Sequence, residues 1–268
     1  MTSINREIRI VQNATQLARV AAAAFATLAE QTVAAKGSFS VALAGGSTPK
    51  AMFALLADAS EKFRARVPWS HIHFFWSDER HVPPDHAESN YRMAAETLLS
   101  RVPVPPEHIH RIRSERADAS QAAQEYELEL RDFFKLEAGQ WPRFDLALLG
   151  MGADGHTASL FPGTTALHEQ ARLAVAVWVQ MLQTYRITLT PPVFNHAARV
   201  IFMVSGQEKA ETLRRVLEGE YQPERWPSQL IAPQQGHLLW LIDQAAARLL
   251  SPHLRSAFAS DSLSCAGQ

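Results

Sequence analysis

The stretch that decides the fold runs from Phe144 to Gly163 and reads FDLALLGMGADGHTASLFPG. Its first part, Phe144 to Leu149, is a short and almost wholly apolar run, which is typical of a strand buried on both faces of a parallel sheet. The run ends at three glycines within six residues, Gly150 to Gly155, and such a loop cannot continue a strand. Because ligands of open α/β sheets bind beyond the carboxyl ends of the strands, we predict that this loop faces a small molecule.

Two side chains of this glycine loop are suited to acid–base chemistry. Asp154 and His156 stand two residues apart, and a carboxylate close to an imidazole provides a base together with the group that orients it. Glycines also let the backbone approach a ligand closely, so Gly152 is a candidate contact of the substrate. We predict that Asp154 and His156 are catalytic.

The same glycines satisfy the spacing G-x-G-x-x-G, which is typical of dinucleotide-binding loops. That fingerprint needs a long helix directly after the loop and an acidic residue about 20 residues further on. Here Pro162 and Gly163 stop any helix after about two turns, and the next predicted strand, Leu173 to Val179, ends in no Asp or Glu. We therefore predict that the loop binds no nicotinamide or flavin cofactor.

Strands and helices alternate along the rest of the chain. This alternation predicts an α/β fold with a doubly wound, mostly parallel sheet in a single domain over residues 1–255, followed by a disordered tail over 256–268. Asn13 resembles the start of a capping box for a helix that Gly37 ends, and Thr48 before Pro49 predicts an N-cap. The remaining predicted elements are the strands Glu7–Val11, Phe39–Ala44, Ile72–Trp76, Arg186–Thr190, Val200–Val204 and Leu238–Ile242, a polar loop Ser77–Asn90, and the helices Tyr91–Leu99, Ala119–Ala138, Glu208–Glu218 and Gln244–Leu250.

Composition excludes several classes of partner. The formal net charge is -1 and 47% of the residues are hydrophobic, so the chain can form a sizeable core and nothing global favours nucleic acid or an anionic membrane. The longest uncharged apolar stretch of the N-terminal part, Val20 to Ala29, is too short to span a bilayer. Cys265 is the only cysteine, which rules out an intrachain disulfide and fits the cytoplasm. Any anion site must therefore be built locally.

One such site is predicted where a strand meets a helix. The connection consists of Gly45, Gly46, Ser47 and Thr48. Free backbone N–H groups, two hydroxyls and the positive end of the helix dipole would attract an anion there. An ordinary tight turn with a threonine cap is an equally good interpretation of these four residues alone.

Cationic residues occupy comparable positions elsewhere. Ser77 to His81 follows the predicted strand Ile72–Trp76, and its Arg80 could bind a phosphate bidentately, although a solvated loop is the alternative. Arg186 begins another predicted strand, and Lys209 begins a predicted helix. We connect the three because each stands at a loop or at the start of an element.

Two pairs of histidines have a spacing that could place both side chains on one face of a strand. They are His71 with His73, and His108 with His110. A metal would need further ligands from elsewhere, and no spacing suggests them. We interpret the pairs as surface histidines and predict no metal site.

Taken together, several blocks of the sequence match one known family. They are Gly45–Pro49, Ser77–Arg80, Ser89–Tyr91, Gly150–Gly163, Arg186–Thr190, Gly206–Ala210, and Pro233 and Gly236 before Trp240. These blocks resemble the 6-phosphogluconolactonase family, and the resemblance extends over roughly Val41 to Ala246 with every block in order. The block DGHTASLFPG is highly specific, and the block GGST is only moderately so.

The resemblance implies a fold and an activity. The family has a Rossmann-like fold that it shares with glucosamine-6-phosphate isomerase/deaminase. Its members hydrolyse 6-phosphoglucono-1,5-lactone to 6-phosphogluconate in the pentose phosphate pathway and require no cofactor. We therefore expect a cytoplasmic hydrolase whose partner is a phosphosugar lactone, with no nucleic-acid or membrane partner, acting as a monomer or weak homo-oligomer.

The resemblance also implies roles for the candidate residues. His156 would take a proton from water, the resulting hydroxide would attack the lactone carbonyl, and Asp154 would orient the imidazole. The 6-phosphate would be held by Ser47, Thr48, Arg80, Arg186 and Lys209. The substrate-binding set further includes Gly45, Gly46, Asp78 and Gly152, while the donors of the oxyanion hole stay unassigned.

Two other functions stay open at this point. The isomerase/deaminase pattern carries a glutamate before the Pro-Gly of the central block, where this sequence has Phe161. An isomerase must move protons on carbon and open a ring, whereas a lactonase needs only an activated water and a stabilised oxyanion, so the missing carboxylate favours the lactonase. The other alternative is a non-catalytic sugar-phosphate sensor, for which we expect no room for a helix-turn-helix before the first predicted strand.

Overall fold

The computed structural model describes residues 5–256. The predicted disordered tail after Ser256 and the single cysteine, Cys265, lie outside the described residues. The strands are β1 (Asn5–Val11), β2 (Phe39–Leu43), β3 (Ile72–Trp76), β4 (Asp78–Arg80), β5 (Leu146–Leu149), β6 (Ala174–Val179), β7 (Thr184–Leu189), β8 (Arg199–Val204) and β9 (His237–Asp243). The α-helices are α1 (Ala14–Lys36), α2 (Ser47–Ala57), α3 (Asn90–Thr97), α4 (Ala119–Phe134), α5 (Pro191–His196), α6 (Ala210–Glu218), α7 (Gln244–Ala247) and α8 (Pro252–Ser256).

The main sheet has six strands in the order β1-β9-β8-β5-β2-β3, and every pair in it is parallel. The chain continues from β2 to β3 on one side and from β5 to β8 on the other, so the direction of winding changes between β2 and β5. All residues of β2 and β5 are buried, as the apolar run before the glycine loop predicted. The predicted doubly wound parallel sheet is confirmed, and its switch point marks where a ligand is expected to bind.

A second sheet was not predicted. It contains β4, β7 and β6, all antiparallel, and pairs Asp78 with Thr188 and Arg80 with Arg186. The prediction that Ser77–Asn90 is a loop is therefore wrong for its first residues. β6 and β7 also do not join the parallel sheet, because a single short turn at Gln180–Leu182 connects them and a parallel crossover needs a dozen or more residues.

The helix starts were predicted with mixed success. α1 follows its prediction: Asn13 caps the helix by accepting from the Gln16 N–H, and Gly37 ends it at a φ of 86°. The prediction that Thr48 caps α2 is wrong, because α2 already begins at Ser47 and its N-cap is Gly46 at a φ of 103°. The hydroxyls of Ser47 and Thr48 therefore lie in the first helical turn and make no cap.

No helix forms directly after the glycine loop. Gly155 has a φ of 82° and Ala158 has a φ of 48°, and these two left-handed residues interrupt any helical path before Pro162 is reached. An alanine at positive φ costs roughly 1–2 kcal/mol, so the local packing must impose this turn. A short helix that was not predicted, α5, follows β7 instead.

The buried side chains of both sheets belong to one hydrophobic cluster. In it the rings of Phe202 and Trp240 stack in parallel with centroids 3.9 Å apart, and thereby join β8 to β9. None of the described helices is long and apolar enough to cross a membrane.

Candidate active site

A cleft of about 320 Å³ opens beyond the carboxyl ends of β2, β5 and β8. The loops that follow these strands supply its walls, which are Gly45 to Thr48, Gly150 to Gly152 with His156, and Ser205 with Glu208 and Lys209. β4 and the start of α3 close one side with Asp78, Arg80 and Asn90. The switch point of the main sheet therefore does carry the loops that the sequence singled out.

The predicted catalytic pair lies at the border of this cleft, since His156 lines it while Asp154 lines an adjoining recess. His156 donates from Nδ1 to Oδ1 of Asp154 over 2.5 Å, and the two side chains are 30% and 32% exposed. Burial acts to raise the pKa of the Asp154 carboxyl, but the hydrogen bond from His156 and the charge of that ring outweigh it and leave the pKa below its ordinary value. Asp154 is thus ionised at neutral pH and fixes the ring with Nε2 as the free nitrogen.

The backbone around the pair holds it tightly. Gly152 donates its N–H to the His156 carbonyl over 2.8 Å, and a Cβ at Gly152 would overlap the ring of His156 and the carboxylate of Asp154. The loop is also tied to later parts of the chain, because Thr212 donates to the Ala153 carbonyl and Ser228 donates to the Gly155 carbonyl. Sequence reasoning missed both tethers, since nothing local distinguishes either hydroxyl residue.

Phe161 packs against the ring of His156. Its ring stacks on His156 with centroids 4.2 Å apart and an interplanar angle of 27°. Where the isomerase pattern carries a carboxylate, this chain therefore has the apolar aromatic ring of Phe161. Within residues 5–256, Asp154 is the one acidic partner of His156, and Phe161 covers a face of the ring.

The N-terminus of α2 forms one part of the predicted anion site. The first intrahelical bond runs from the Lys50 N–H to the Gly46 carbonyl over 3.1 Å, so the N–H groups of Ser47 and Thr48 precede it and have no acceptor within the helix. Both residues line the cleft, and so does Lys209. Donors, hydroxyls and a cation therefore converge there, as the sequence predicted.

The two predicted arginines face each other across the small sheet. Arg80 and Arg186 are paired residues of β4 and β7. Burial lowers the pKa of Arg186, and the neighbouring charge of Arg80 lowers it further. Two guanidinium groups held together in a half-buried place are compatible with a bound anion that would neutralise them.

Arg186 and Lys209 occupy different parts of the site. Arg186 lines an adjoining recess of about 410 Å³ together with Asp154, Phe161 and Leu182. Lys209 lines the main cleft. Arg80, Asp78, His156 and Ala158 line both spaces, which makes them one continuous site.

Asp78 lines the cleft as predicted, but hydrogen bonds occupy its carboxylate. Ser159 donates to Oδ2 over 2.6 Å, and the Asn90 amide donates to Oδ1 over 3.3 Å. Sequence reasoning assigned no role to Asn90, although it noticed the block Ser89–Tyr91. That block was noticed only through the family resemblance, and the contacts of Asn90 depend on tertiary structure.

The interpretation of the histidine pairs as surface residues is wrong for three of the four. His71 is exposed, but His73, His108 and His110 are only partly exposed, with ring centroids of His73 and His108 3.9 Å apart. Sequence spacing could not show that the segment around Ile109 pairs with β3 at Phe74 and brings the rings together. Among residues 5–256, no group of three or more His, Cys, Asp or Glu could hold a metal ion, and the absence of a metal site stays a prediction.

Comparison with known proteins adds to this geometry. A family model described as glucosamine-6-phosphate isomerases/6-phosphogluconolactonase matches residues 12–240. A 6-phosphogluconolactonase of Synechocystis sp. is 45% identical over 222 residues, which cover 83% of this chain and 89% of that protein. A 6-phosphogluconolactonase of Nostoc sp. is 41% identical over 225 residues, which cover 84% of this chain and 90% of that one. The solved structure of a 6-phosphogluconolactonase from Trypanosoma cruzi matches with a TM-score of 0.80 at 29% identity, covering 93% of this chain and 98% of that chain.

Proposed function

Since the chain belongs to the family of glucosamine-6-phosphate isomerases and 6-phosphogluconolactonases, we propose that it hydrolyses 6-phosphoglucono-1,5-lactone with His156 as the general base. The family that the motif blocks resembled is thereby confirmed. The product is 6-phosphogluconate, and the reaction is a step of the pentose phosphate pathway. One observation carries the proposal: His156, which is hydrogen-bonded to Asp154, lines a cleft at the switch point of the sheet.

The chemistry follows from which ring nitrogen is free. Nε2 of His156 takes a proton from water while the oxygen of that water attacks the carbonyl carbon of the lactone. Asp154 stabilises the imidazolium that forms, because its carboxylate accepts the Nδ1 proton. The bond between the carbonyl carbon and the ring oxygen then breaks, and the ring oxygen takes the proton from Nε2. The carboxylic acid product ionises, so each turnover releases one proton at neutral pH.

The phosphate end of the substrate binds to the cationic wall of the same site. Ser47 and Thr48 offer backbone and hydroxyl donors, and Arg80 and Lys209 offer positive charge in the main cleft. Arg186 adds a second guanidinium beside Arg80. A phosphate that engages these groups would place the lactone ring towards His156, which separates binding of the phosphate from the chemical step.

The surroundings of His156 favour hydrolysis over isomerisation or deamination. An aldose–ketose isomerase needs additional acid–base groups near the imidazole, and the stacked neighbour here is Phe161. The direct check is whether fructose 6-phosphate forms from glucosamine 6-phosphate. We expect none, and formation at a rate comparable with lactone hydrolysis would favour the isomerase/deaminase alternative.

We propose that the enzyme works in the cytoplasm as a monomer or weak homo-oligomer. A single cysteine, Cys265, fits a reducing compartment. Sedimentation velocity at several protein concentrations would measure the assembly.

The proposed activity is tested by proton release from freshly prepared 6-phosphogluconolactone. The rate with enzyme is compared with the rate of spontaneous hydrolysis in the same weakly buffered solution. We expect a rate that rises in proportion to enzyme concentration. A rate that never exceeds the spontaneous one would contradict the proposed function.

A further inference from the structure

Asn90 lies between the two charged side chains of β4 that face the cleft. Its amide nitrogen donates to the Asp78 carbonyl over 2.9 Å and to Asp78 Oδ1 over 3.3 Å. Its amide oxygen accepts a close hydrogen bond from Nη1 of Arg80. One buried amide therefore uses its donor and its acceptor at once, towards an acid and a base.

The hydrogen bonds of Arg80 leave one edge of its guanidinium free. Nη1 donates to the Glu88 carbonyl over 2.9 Å and to Asn90. Within the part of the chain that the structure describes, Nε and Nη2 donate to no protein group. The edge formed by Nε and Nη2 is one that can bind two oxygens of a phosphate in parallel. Arg80 itself lines the cleft.

The backbone of Asn90 is held in place by the buried side chain of Glu79. Glu79 accepts from the backbone N–H of Asn90 over 2.7 Å, from that of Tyr91 over 2.8 Å, and from the Ser89 hydroxyl over 3.1 Å. Glu79 is a residue of β4 and its partners begin α3, so this carboxylate attaches the helix to the strand. A negative charge at a helix N-terminus is also favourable to the helix dipole.

The anion loop packs directly on the same amide. A Cβ at Gly45 would overlap the side-chain amide of Asn90, so the loop can approach this closely only because residue 45 is glycine. Asn90 thus contacts the loop before α2 and, through its side chain, Asp78 and Arg80 of β4. The block Ser89–Tyr91, which the proposed mechanism leaves without a role, meets the site here.

We propose that Asn90 is a positioning residue that turns the free edge of Arg80 towards the substrate phosphate. This inference rests on the proposed binding of a phosphosugar in the cleft. Without the amide oxygen, Nη1 would lose one of its two acceptors, and the long arginine side chain would spread over several rotamers. The phosphate would then bind to a less ordered guanidinium, and affinity for phosphorylated ligands would fall.

The test measures binding rather than turnover. Isothermal titration calorimetry measures the affinity for 6-phosphogluconate and, as the unphosphorylated control, for gluconate. The proteins compared are the wild type, Asn90→Leu, Arg80→Ala and the double variant. We expect Asn90→Leu to bind 6-phosphogluconate about tenfold more weakly or worse, as for the loss of a charged hydrogen bond, with gluconate affinity unchanged. In the Arg80→Ala background, Asn90→Leu should add less than about a twofold effect, because the two residues act through one contact.

Ser89→Ala is the matched control. Ser89 caps the same helix by accepting from the Arg92 N–H over 3.1 Å, but it contacts neither Arg80 nor Asp78. This variant should melt at a lower temperature and retain the affinity for 6-phosphogluconate. Asn90→Ala should lose affinity for 6-phosphogluconate as Asn90→Leu does. It replaces Asn90→Leu in the test if the leucine variant does not fold.

Three results would overturn the inference. One is a folded Asn90 variant that binds 6-phosphogluconate as tightly as the wild type. Another is a double variant whose loss of binding free energy for 6-phosphogluconate equals the sum of the losses in the two single variants. The third is a Ser89→Ala variant that loses affinity as much as Asn90→Leu, because the effect would then come from the helix. A wild type that binds 6-phosphogluconate but hydrolyses no lactone would contradict the proposed function while leaving the role of Asn90 testable.

Discussion

Gly152 lies so close to Asp154 and His156, the proposed catalytic pair, that it has no room for a side chain. A methyl group on it would overlap the ring of His156 and the carboxylate of Asp154. We expect Gly152→Ala to separate the pair and to lower kcat by about tenfold or more, since a positioned general base contributes roughly 10²–10⁴. The measurement is steady-state hydrolysis of the phosphorylated lactone.

Gly150→Ala is the matched control for that substitution. It adds the same methyl group two residues earlier in the loop, where no atom other than those of its chain neighbours lies within 4 Å of the new Cβ. Gly150 lines the cleft, but its methyl group would touch neither His156 nor Asp154, so we expect this variant to lose less activity than Gly152→Ala. Equal losses in the two variants would show that the loop tolerates no methyl group at all, and the specific contact of Gly152 would not be the cause.

Arg186 is a half-buried guanidinium whose pKa is lowered by burial and then by the charge of Arg80. We expect Arg186→Ala to weaken binding of the phosphorylated ligand by about 1.5–3 kcal/mol, the usual value for a hydrogen bond to a charged group. The folded state should not lose stability, because a repulsive neighbour of Arg80 is removed. The measurements are the ratio of kcat/KM for the phosphorylated lactone to that for gluconolactone, and the melting temperature.

Arg199→Ala provides the comparison for Arg186. Arg199 is an exposed residue at the start of β8, at the opposite end of the strand from the cleft. Arg199→Ala changes the net charge by the same amount as Arg186→Ala. It should leave the preference for the phosphorylated lactone over gluconolactone unaltered. If both variants keep the wild-type preference, the phosphate binds elsewhere.

Most candidate residues could be predicted because each stands at the end of a strand or the start of a helix. The rule that ligands bind beyond the carboxyl ends of parallel strands was enough to select Asp154 and His156. The close contacts of Phe161 and Asn90 could not be predicted, since they depend on how separate segments meet. The interpretation of Thr48 as a cap failed for a local reason, because Gly46 adopts a φ that lets the helix begin earlier.

At the scale of elements, β3 and the segment around Ile109 are packed together through three histidines, His73, His108 and His110. The His73 ring packs against His108, His110 and Phe133, and Nδ1 of His73 lies 3.1 Å from Nε2 of His110. Burial, followed by the charges of His108 and His110, lowers the pKa of His73 to about 4. Glu129 is the acidic group nearby, and it pairs with Nδ1 of His110 over 2.8 Å.

This lowered pKa gives stability a definite dependence on pH. The unfolded chain binds a proton at His73 near pH 6.5, whereas the folded protein binds it only near pH 4. Between these values the unfolded state holds more protons, so the free energy of unfolding falls as the pH falls, and the full contribution is present above about pH 6.5. We expect a loss of about 1 kcal/mol between pH 7.5 and pH 5 after discounting for partial exposure.

The measurement is urea unfolding at both pH values for the wild type and His73→Phe. The phenylalanine keeps the aromatic packing against Phe133 and removes the titration. Its free energy of unfolding should fall less between pH 7.5 and pH 5 than that of the wild type. An identical fall in both proteins would contradict the assignment of the effect to His73.

The elements that could not be predicted are those that leave the parallel sheet. β6 is an apolar run, and β7 is buried only in its second half, Ile187 to Leu189; periodicity does not reveal which sheet either strand joins. β4 has three residues, Asp78 to Arg80, whose charge indicated a loop. The pairing of Arg80 with Arg186 arises only from this second sheet, so a central feature of the site was invisible in the sequence.

At the scale of the whole molecule, we expect the reaction to need no metal ion. The mechanism assigns proton transfer to His156 and charge stabilisation to the residues around it, and within residues 5–256 no cluster of metal-ligating side chains was found. Activity should therefore survive exhaustive chelation followed by assay in metal-free buffer. A loss that one particular divalent ion restores would contradict this prediction.

The central claim is that His156 is the general base, and His156→Asn tests it most directly. Asparagine keeps a polar side chain of similar reach but accepts no proton near neutral pH. His71→Asn, at an exposed histidine before β3, is the matched control and should behave as the wild type. The measurement is kcat, KM and melting temperature of the three proteins on one substrate preparation with background hydrolysis subtracted. The account predicts that kcat of His156→Asn falls by roughly 10²–10⁴ with KM and melting temperature little changed. A folded His156→Asn protein that keeps more than about a tenth of the wild-type kcat would contradict it.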